Sequence, residues 1–336
     1  MPLPKKMKCI EIIKYGGVEN LKYSTMDLPQ ISDNKVLIEV FAAGVNRPDI
    51  LQRKGLYDPP KEASKLPGLE VSGRIVSLGK NVTGFKKYDK VCALTHGGGY
   101  AEYCSVHYRH VLRNPKGYNF VESAAIPETF FTVWANLFKI GKLKKNEIVL
   151  IHGGSSGIGT TAIQMAKING SKVITTAGSI KKVKYCEKLG ADLAINYKEK
   201  DYFEEVLDFT SKKGVDVILD MVGADYIKKN MSLLRDKGRH ITIAFLKGKD
   251  ANIDLQNIIK NRLILTGSTL RPRTDEEKAE LATSLKRIYW PLLEKKIIKP
   301  IIYKTFSLKN AKEAHKLMES SKHIGKIILE IKTEEK

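Results

Sequence analysis

A glycine-rich segment in the middle of the chain has the residue types and spacing that bind phosphate. Gly154, Ser156 and Gly159 occupy the three positions of the dinucleotide-binding pattern G-x-G-x-x-G, with Ser in place of the middle Gly. Free backbone N–H groups and the positive end of a helix dipole would neutralise a pyrophosphate there without a lysine in the loop. The chemistry that we expect is the binding of a dinucleotide, and an ordinary glycine-rich turn is the alternative.

The elements around these glycines are those that a dinucleotide site needs. The apolar run at 147–152 is typical of a buried parallel strand, and from Thr160 the apolar residues recur at helical spacing. The helix is therefore expected to begin where the glycines end. A second apolar run follows at 172–176 and is the next expected strand.

The end of this second strand bears on the choice between NAD and NADP. An NAD site carries Asp or Glu at this position, which binds the ribose 2′-hydroxyl, but here the chain continues as AGSIKK at 177–182. A hydroxyl and two ammonium groups with no acid beside them favour a 2′-phosphate. The sequence therefore predicts NADPH, against the alternative that Lys181 and Lys182 are merely solvated.

Composition indicates a globular protein of two domains. The chain has 336 residues, of which 42% are hydrophobic, and it can bury sizeable cores. Its net charge is +21, but the lysines are scattered and form no basic block. We therefore favour a solvated, lysine-rich surface over a dedicated nucleic-acid site, and nucleic acid is the less favoured partner.

Targeting and redox signals favour the cytoplasm. No apolar run approaches the roughly 18 residues of a transmembrane helix, and the N-terminal MPLPKKMK leads into a strand-like CIEII without the apolar core of a signal peptide. We expect no membrane association. Cys9, Cys92, Cys104 and Cys186 are widely spaced, which suits a reducing compartment, and we interpret them as structural.

Strand and helix patterns divide the chain into a β-rich part and an alternating part. Before Ala124, Gly and Pro separate strand-like runs at 8–14, 35–43, 70–78, 90–93 and 100–105. After it, helices alternate with strands at 147–152, 172–176, 193–196, 215–220, 240–245 and 263–267. This alternation predicts a doubly wound parallel sheet. Because runs at 299–306 and 326–331 return to strand character, the predicted domains are 1–124 with 297–336, and 125–296.

Short motifs along nearly the whole chain identify a family. They are NRPD at 46–49, QRKGLYDPP at 52–60, PGLE at 67–70, HGGGYAEY at 96–103, AAIPE at 124–128, HKLME at 315–319 and IGKI at 324–327. They resemble the quinone oxidoreductases of the medium-chain dehydrogenase/reductase superfamily, above all the tumour-suppressor-inducible group, with the zeta-crystallin group next. The resemblance implies an α/β fold, in which a Rossmann NADPH-binding domain accompanies a β-rich, GroES-like catalytic domain.

The resemblance also implies a site without metal. The related zinc-dependent alcohol dehydrogenases have Cys at the place of Asn46 and His at the place of Leu69, and their four-cysteine zinc lobe is absent from this sequence. Leu has no ligand atom, and a neutral amide is a poor zinc ligand. Cys104, His107 and His110 have suggestive spacing, but their surroundings are typical of a strand and its exit. We therefore predict that no metal is bound.

The resemblance further implies which residues form the site. Asn46 and Tyr57 are expected to line the pocket for nicotinamide and quinone and to donate hydrogen bonds there, although taken alone they would be a turn amide and a partly buried aromatic. The implied cofactor contacts are Thr132 on the phosphate side, the loop residues Ser156, Gly157 and Ile158, the adenosine-side residues Gly178, Ser179, Lys182 and Tyr197, the strand-end residues Phe245, Leu246, Ser268 and Leu270, and Lys326 from the tail. For Phe245, Leu246 and Leu270, core packing is the alternative.

Three functions are compatible with these features. The first is an NADPH:quinone reductase that delivers hydride or electrons to a quinone, with ortho-quinones as expected acceptors. The second is an NADPH-dependent reductase of activated alkenes, such as enones and 2-alkenals. The third is an RNA-binding protein of zeta-crystallin type, which the charge of +21 would assist. We favour the first, and the resemblance implies a homodimer formed by the cofactor domains.

Overall fold

The strands of the protein cover both halves of the chain. The structure is a computed structural model and describes residues 3–334. In chain order its strands are β1 (Lys6–Ile12), β2 (Leu21–Asp27), β3 (Lys35–Val45), β4 (Glu70–Leu78), β5 (Lys90–Leu94), β6 (Tyr103–His107), β7 (Val111–Arg113), β8 (Ile148–Ile151), β9 (Lys172–Ala177), β10 (Leu193–Asn196), β11 (Val215–Asp220), β12 (Leu234–Thr242), β13 (Ile264–Gly267), β14 (Ile302–Ser307) and β15 (Lys326–Glu330).

The helices are concentrated in the second half. They are α1 (Arg47–Arg53), α2 (Phe120–Ser123), α3 (Pro127–Val133), α4 (Gly157–Ile168), α5 (Ile180–Lys188), α6 (Tyr202–Phe209), α7 (Tyr226–Leu233), α8 (Leu255–Asn261), α9 (Asp275–Ile288), α10 (Trp290–Glu294) and α11 (Ala311–Ser320). A π-helical segment, Trp134–Ile140, continues α3. Short 3-10 helices occupy Val18–Asn20, Tyr108–His110 and Leu308–Asn310.

Residues 132–270 form one compact unit, which is built on a parallel sheet. Its strand order is β10-β9-β8-β11-β12-β13, so the chain winds outward in both directions from β8. Every residue of β11 is buried, as expected for a parallel strand that is covered on both faces. The predicted doubly wound sheet is confirmed.

The fifth strand of this sheet lies earlier in the chain than the sequence suggests. We expected a strand at 240–245, but β12 ends at Thr242. Beyond it the Ile243 N–H donates to the Asp220 carbonyl and the Leu246 N–H donates to the Met221 carbonyl. These bonds direct residues 243–246 into a loop over the end of β11, although their apolar character resembles that of a strand.

The second compact unit comprises the described residues up to Phe131 and from Arg271 onward. Its seven-stranded sheet has the order β14-β15-β3-β4-β5-β7, β6 also pairs with β3, and β1 and β2 form a separate antiparallel pair. Strand β15 lies antiparallel to β3, with Ile328 opposite Gly44. The C-terminal strands thus join the sheet of the β-rich unit, as expected.

Helices α9 and α10 also belong to this unit, whereas the sequence analysis assigned their residues to the other domain. A capping box is present at the start of α9, where the Glu277 N–H donates to Thr274 Oγ1 at 3.2 Å. Trp290 Nε1–H donates to the Arg113 carbonyl at 2.7 Å. The Trp290 side chain therefore anchors α10 to β7 of the β-rich unit.

Two further expectations concern membrane association and the state of the cysteines. Among residues 3–334, no helix combines the length and the apolar character needed to cross a bilayer. Cys9, Cys92, Cys104 and Cys186 are all buried and free.

Candidate active site

Asn46 stands at the junction of β3 and α1 in the β-rich unit. Its backbone N–H donates to Asp49 Oδ2 at 2.8 Å, which closes the first turn of α1. Asp49 is fully buried, and its Oδ1 accepts from the Gly68 N–H at 2.8 Å. Burial raises the pKa of Asp49 to about 6, and the two backbone hydrogen bonds limit that rise. Asp49 thus fixes the backbone conformation at Asn46.

The Asn46 side chain belongs to a buried polar group with Glu70 and Lys326, which we call the Asn46–Glu70–Lys326 group. Asn46 Nδ2 donates to Glu70 Oε1 at 2.9 Å, and Lys326 Nζ donates to Asn46 Oδ1 at 2.5 Å. Lys326 Nζ also lies 2.6 Å from Glu70 Oε1, and these two residues are 3% and 0% exposed. The carboxylate and the ammonium therefore define the orientation of the amide.

Gly44 makes room for this group. A Cβ atom built on Gly44 would lie 1.9 Å from Glu70 Oε1, far inside any contact distance. The strand β3 therefore needs glycine at this position so that Glu70 can reach Asn46.

Glu128 extends the group from α3. Its backbone N–H donates to Glu70 Oε2 at 2.8 Å, so both oxygens of Glu70 are engaged. Burial and then the nearby charge of Glu70 raise the pKa of the Glu128 carboxyl to about 8. Glu70 and Glu128 are the glutamates of the motifs PGLE and AAIPE, which indicated the family but not a role for either residue in the site.

Tyr57 lies on the loop after α1 and is partly buried. The guanidinium of Arg271 sits over its ring, 5.6 Å from the centroid. Arg271 Nη1 donates to Gln52 Oε1 and Nε donates to the His96 carbonyl, both at 2.9 Å. Burial, followed by the charge of Glu128, raises the pKa of Tyr57. Arg271, which contacts the Tyr57 ring, was not indicated by any of the sequence motifs.

The residues at the Asn46 site do not form a zinc site. Leu69, at the place of a zinc-binding His, is a buried apolar side chain. The Asn46 oxygen is already hydrogen-bonded to an ammonium group, which would repel a cation. This donor set therefore does not fit the metal of the zinc-dependent dehydrogenases.

A second cluster with possible ligand atoms lies at the start of α9. Ligand atoms of His107, His110 and Asp275 lie within 4.8 Å of one another. Cys104, which shared the spacing in the sequence, points its thiol toward the Gly97 carbonyl instead. Within the hydrogen bonds of the described residues, His110 Nε2 contacts the Asp275 carbonyl at 3.2 Å and His107 Nδ1 accepts from the Arg109 N–H at 3.3 Å. Both histidine rings thus contact backbone groups.

The glycine-rich loop of the parallel-sheet unit has the geometry of a phosphate cradle. Ser156 is the N-cap of α4, and its Oγ accepts from the Gly159 N–H at 3.0 Å. A Cβ on Gly154 would lie 2.0 Å from Thr175 Oγ1, and one on Gly159 would lie 2.3 Å from the Gly153 carbonyl. Ser is therefore accommodated at the middle position because it caps the helix, while the N–H groups of Gly157 and Ile158 open its first turn.

The predicted 2′-phosphate residues come together at the ends of β9 and β10. Ser179 is the N-cap of α5, and its Oγ accepts from the Lys182 N–H at 3.4 Å. A Cβ on Gly178 would lie 2.8 Å from the Tyr197 hydroxyl, so Gly178 and Tyr197 are neighbours. Burial lowers the pKa of Lys182, which is half-buried. The structure thus gathers Gly178, Ser179, Lys182 and Tyr197 in one place.

The other predicted cofactor residues fall into three groups. Thr132 and Ser268 are linked through Asn136, which donates to the Thr132 carbonyl at 2.9 Å and accepts from Ser268 Oγ at 2.8 Å. Phe245 and Leu246 are 60% and 53% exposed, so core packing does not explain them, whereas Leu270 is buried. Lys326 belongs to the β-rich unit, where its ammonium is engaged by Glu70 and Asn46.

A buried polar chain lies under the ends of the central strands. His152 Nδ1 contacts Thr176 Oγ1 at 3.1 Å, and its Nε2 contacts Asn230 Oδ1 at 2.9 Å. Asn230 in turn contacts His240 at 3.2 Å and donates to Asp220 Oδ2 at 3.4 Å. This chain connects β9, β8, β11 and β12 at the edge where nucleotides bind in such sheets.

These two units define a class of protein, the nicotinamide-dependent oxidoreductases of the medium-chain dehydrogenase/reductase superfamily. Residues 32–116 match the alcohol dehydrogenase GroES-like domain, and residues 157–286 match the family described as zinc-binding dehydrogenase. Human quinone oxidoreductase is 32% identical over 333 residues, which are 97% of this chain and 98% of the human protein. The chain therefore belongs to the quinone oxidoreductase family of this superfamily, and it is an oxidoreductase that acts on a small molecule.

Solved structures agree with this assignment. The quinone oxidoreductase of Pseudomonas syringae has a TM-score of 0.87 at 26% identity, and the match covers 97% of this chain and 100% of that one. The CurK enoyl reductase has a TM-score of 0.85 at 26% identity, covering 97% of this chain and 99% of that one. The fold is thus similar to that of proteins named for two different reductions.

Proposed function

We propose that the protein is an NADPH:quinone reductase that works without a metal ion, and that ortho-quinones are its acceptors. The observation that carries this proposal is the Asn46–Glu70–Lys326 group. It supplies an oriented amide at the place where the zinc-dependent relatives hold a metal ligand. A quinone needs no Lewis acid, because conjugation already activates its carbonyls.

In this proposal the side chains of the β-rich unit stabilise the reduced quinone. The bound cofactor supplies hydride or electrons. Asn46 Nδ2 gives one N–H to Glu70, and its second N–H serves as a donor to a quinone oxygen. The Tyr57 hydroxyl, beside Arg271, is the other donor. Two preoriented donors of this kind stabilise negative charge as it develops on the acceptor.

The choice of NADPH rests on the adenosine side of the parallel-sheet unit. Ser179 and Lys182 open α5 at the end of β9, where an NAD site would have an acid. The Lys182 ammonium and the Ser179 hydroxyl are suited to bind the 2′-phosphate, and the loop N–H groups of Gly157 and Ile158 the pyrophosphate.

The experiment that tests the function is acceptor-dependent oxidation of NADPH and NADH by the pure protein at fixed salt concentration. We expect rapid NADPH oxidation with 9,10-phenanthrenequinone and 1,2-naphthoquinone, slower oxidation of NADH, and no loss of activity after dialysis against a chelator. Failure to oxidise NADPH with any quinone would overturn the proposal.

Reduction of activated alkenes is the second candidate. The structural similarity to an enoyl reductase favours it, because that protein shares the fold over nearly the whole chain. The same two donors could polarise an enone carbonyl. Turnover with enones or 2-alkenals, and none with quinones, would establish this second activity in place of the first.

We also propose that the protein is a cytoplasmic homodimer. Strand β13 is an edge strand of the parallel sheet, and Ile264 and Leu265 on it are exposed. Leu255 and Ile259 on the preceding α8 are 67% and 78% exposed. Open strand edges and contiguous exposed apolar side chains mark association surfaces, and a second copy would pair the two edges. The four free, buried cysteines suit the reducing cytoplasm.

A further inference from the structure

Glu128 has a distinct position among the carboxyl groups of the candidate site. Asp49 and Glu70 are both fully buried, whereas Glu128 is partly exposed. Its place is fixed by its own backbone N–H, which donates to Glu70 Oε2 at 2.8 Å. Of these three residues, Glu128 is therefore the one that presents surface to a small molecule.

The hydrogen bonds of the three carboxyls differ in the same way. Asp49 accepts from the Asn46 and Gly68 N–H groups, and Glu70 accepts from Asn46, Glu128 and Lys326. The Glu128 side chain makes no hydrogen bond or ion pair with any residue in the range 3–334 that would commit it to a structural role. The fold thus positions Glu128, but the carboxyl forms no hydrogen bond or ion pair with the described residues.

The charges around Glu128 favour the protonated form at neutral pH. The groups that face it come from several elements and are Glu70 on β4, Asp49 on α1, Lys326 on β15, Lys278 on α9, and Tyr57 and Arg271 on loops. Burial and the negative charge of Glu70 outweigh the cations and raise the pKa of Glu128 to about 8. At neutral pH the group is therefore mostly an acid, with a proton to give.

We propose that Glu128 is the proton donor to the reduced acceptor. This inference rests on the proposed function, since a quinone that receives a hydride becomes a hydroquinone monoanion and needs one proton. The Glu128 O–H bond breaks, the proton forms an O–H bond on the quinone oxygen, and the product is the neutral hydroquinone. The carboxylate is then reprotonated from water, so that each turnover consumes one NADPH, one quinone and one solvent proton.

The test compares Glu128→Gln with the wild-type enzyme across pH. The wild type should lose kcat for ortho-quinones as pH rises through about 8, because the acid form is depleted. Glu128→Gln keeps the size of the side chain but has no acidic proton. It should lower kcat by about 100-fold or more, remove the alkaline limb, abolish the solvent deuterium isotope effect and leave the Kd for NADPH unchanged. Glu128→Asp should restore part of the activity.

Glu276→Gln is the matched control, because Glu276 is an exposed glutamate on α9, and it should behave as the wild type. A readout that does not depend on turnover is infrared difference spectroscopy between about pH 6 and about pH 10. It should show a protonated carboxyl band in the wild type that titrates near pH 8 and is absent from Glu128→Gln.

The outcomes separate this inference from the proposed function. An active wild type whose Glu128→Gln variant keeps the wild-type kcat and pH profile would overturn the proton-donor role alone. A wild type that reduces no quinone would overturn both proposals. A carboxyl band of Glu128 that titrates near the pKa of an ordinary glutamate would also refute the role, whatever the activity.

Discussion

Lys326 and Glu70 form a buried ion pair that joins the last strand of the chain to β4. The Nζ and Oε1 atoms are 2.6 Å apart, and neither side chain is accessible to solvent to any appreciable degree. Lys326→Met should leave the carboxylate buried without its cation, which typically costs about 3–5 kcal/mol. Urea denaturation of the two proteins measures the difference.

Lys80→Met is the control for this prediction, because Lys80 pairs with Asp33 on the surface and both side chains are exposed. Its effect should be within about 1 kcal/mol. Equal stability of Lys326→Met and the wild type would contradict the structural role of the buried pair.

Asn46→Ala should lower turnover far more than cofactor affinity. The substitution removes the amide that Glu70 and Lys326 orient, and the loss of one such donor typically reduces kcat by about 100-fold. Steady-state kinetics with an ortho-quinone, together with fluorescence titration of NADPH, gives the two quantities. Asn81→Ala, on the surface beside Asn34, serves as the control, and an unchanged kcat in Asn46→Ala would argue against the pocket.

Lys182→Ala should weaken NADPH much more than NADH. A charge-assisted hydrogen bond to the 2′-phosphate is worth roughly 1.5–3 kcal/mol, or more than tenfold in Kd. Lys184→Ala is the control, because Lys184 is exposed on the same helix and is not part of the proposed 2′-phosphate site, whereas Lys182 is half-buried. Calorimetric titration with both cofactors decides the question, and equal losses for NADPH and NADH would exclude a 2′-phosphate contact.

Ile259→Glu should dissociate the proposed homodimer. The substitution places a charge on the exposed apolar surface beside β13, where desolvating it would oppose association. Light scattering coupled to size-exclusion chromatography should report a dimer for the wild type and a monomer for the variant. Ile168→Glu introduces the same charge at a less exposed isoleucine at the end of α4 and should remain dimeric.

Features set by neighbouring residues were predictable from the sequence. The strand, glycine loop and helix around Ser156 are local, and the N-cap hydrogen bond to Gly159 spans only three residues. The sequence did not predict that α9 belongs to the β-rich unit. That assignment depends on contacts between residues far apart in the chain, such as the one between Trp290 and Arg113.

The candidate site shows the same contrast. Asn46 and Lys326 are separated by 280 positions in the chain, and no periodicity indicates that they meet. The resemblance implied that Lys326 contacts the cofactor. In the structure its ammonium group is bonded to Asn46 and Glu70. Glu128 was overlooked because its significance depends on Glu70, to which a backbone hydrogen bond connects it across 58 positions.

The N-cap at Ser156 bears on the thermodynamics of cofactor binding. Because its Oγ accepts from the Gly159 N–H within the chain itself, the turn that opens α4 is held by a hydrogen bond that needs no ligand. Association then costs little conformational entropy in this loop. Serine in place of the middle glycine of the motif thus makes the phosphate loop more rigid.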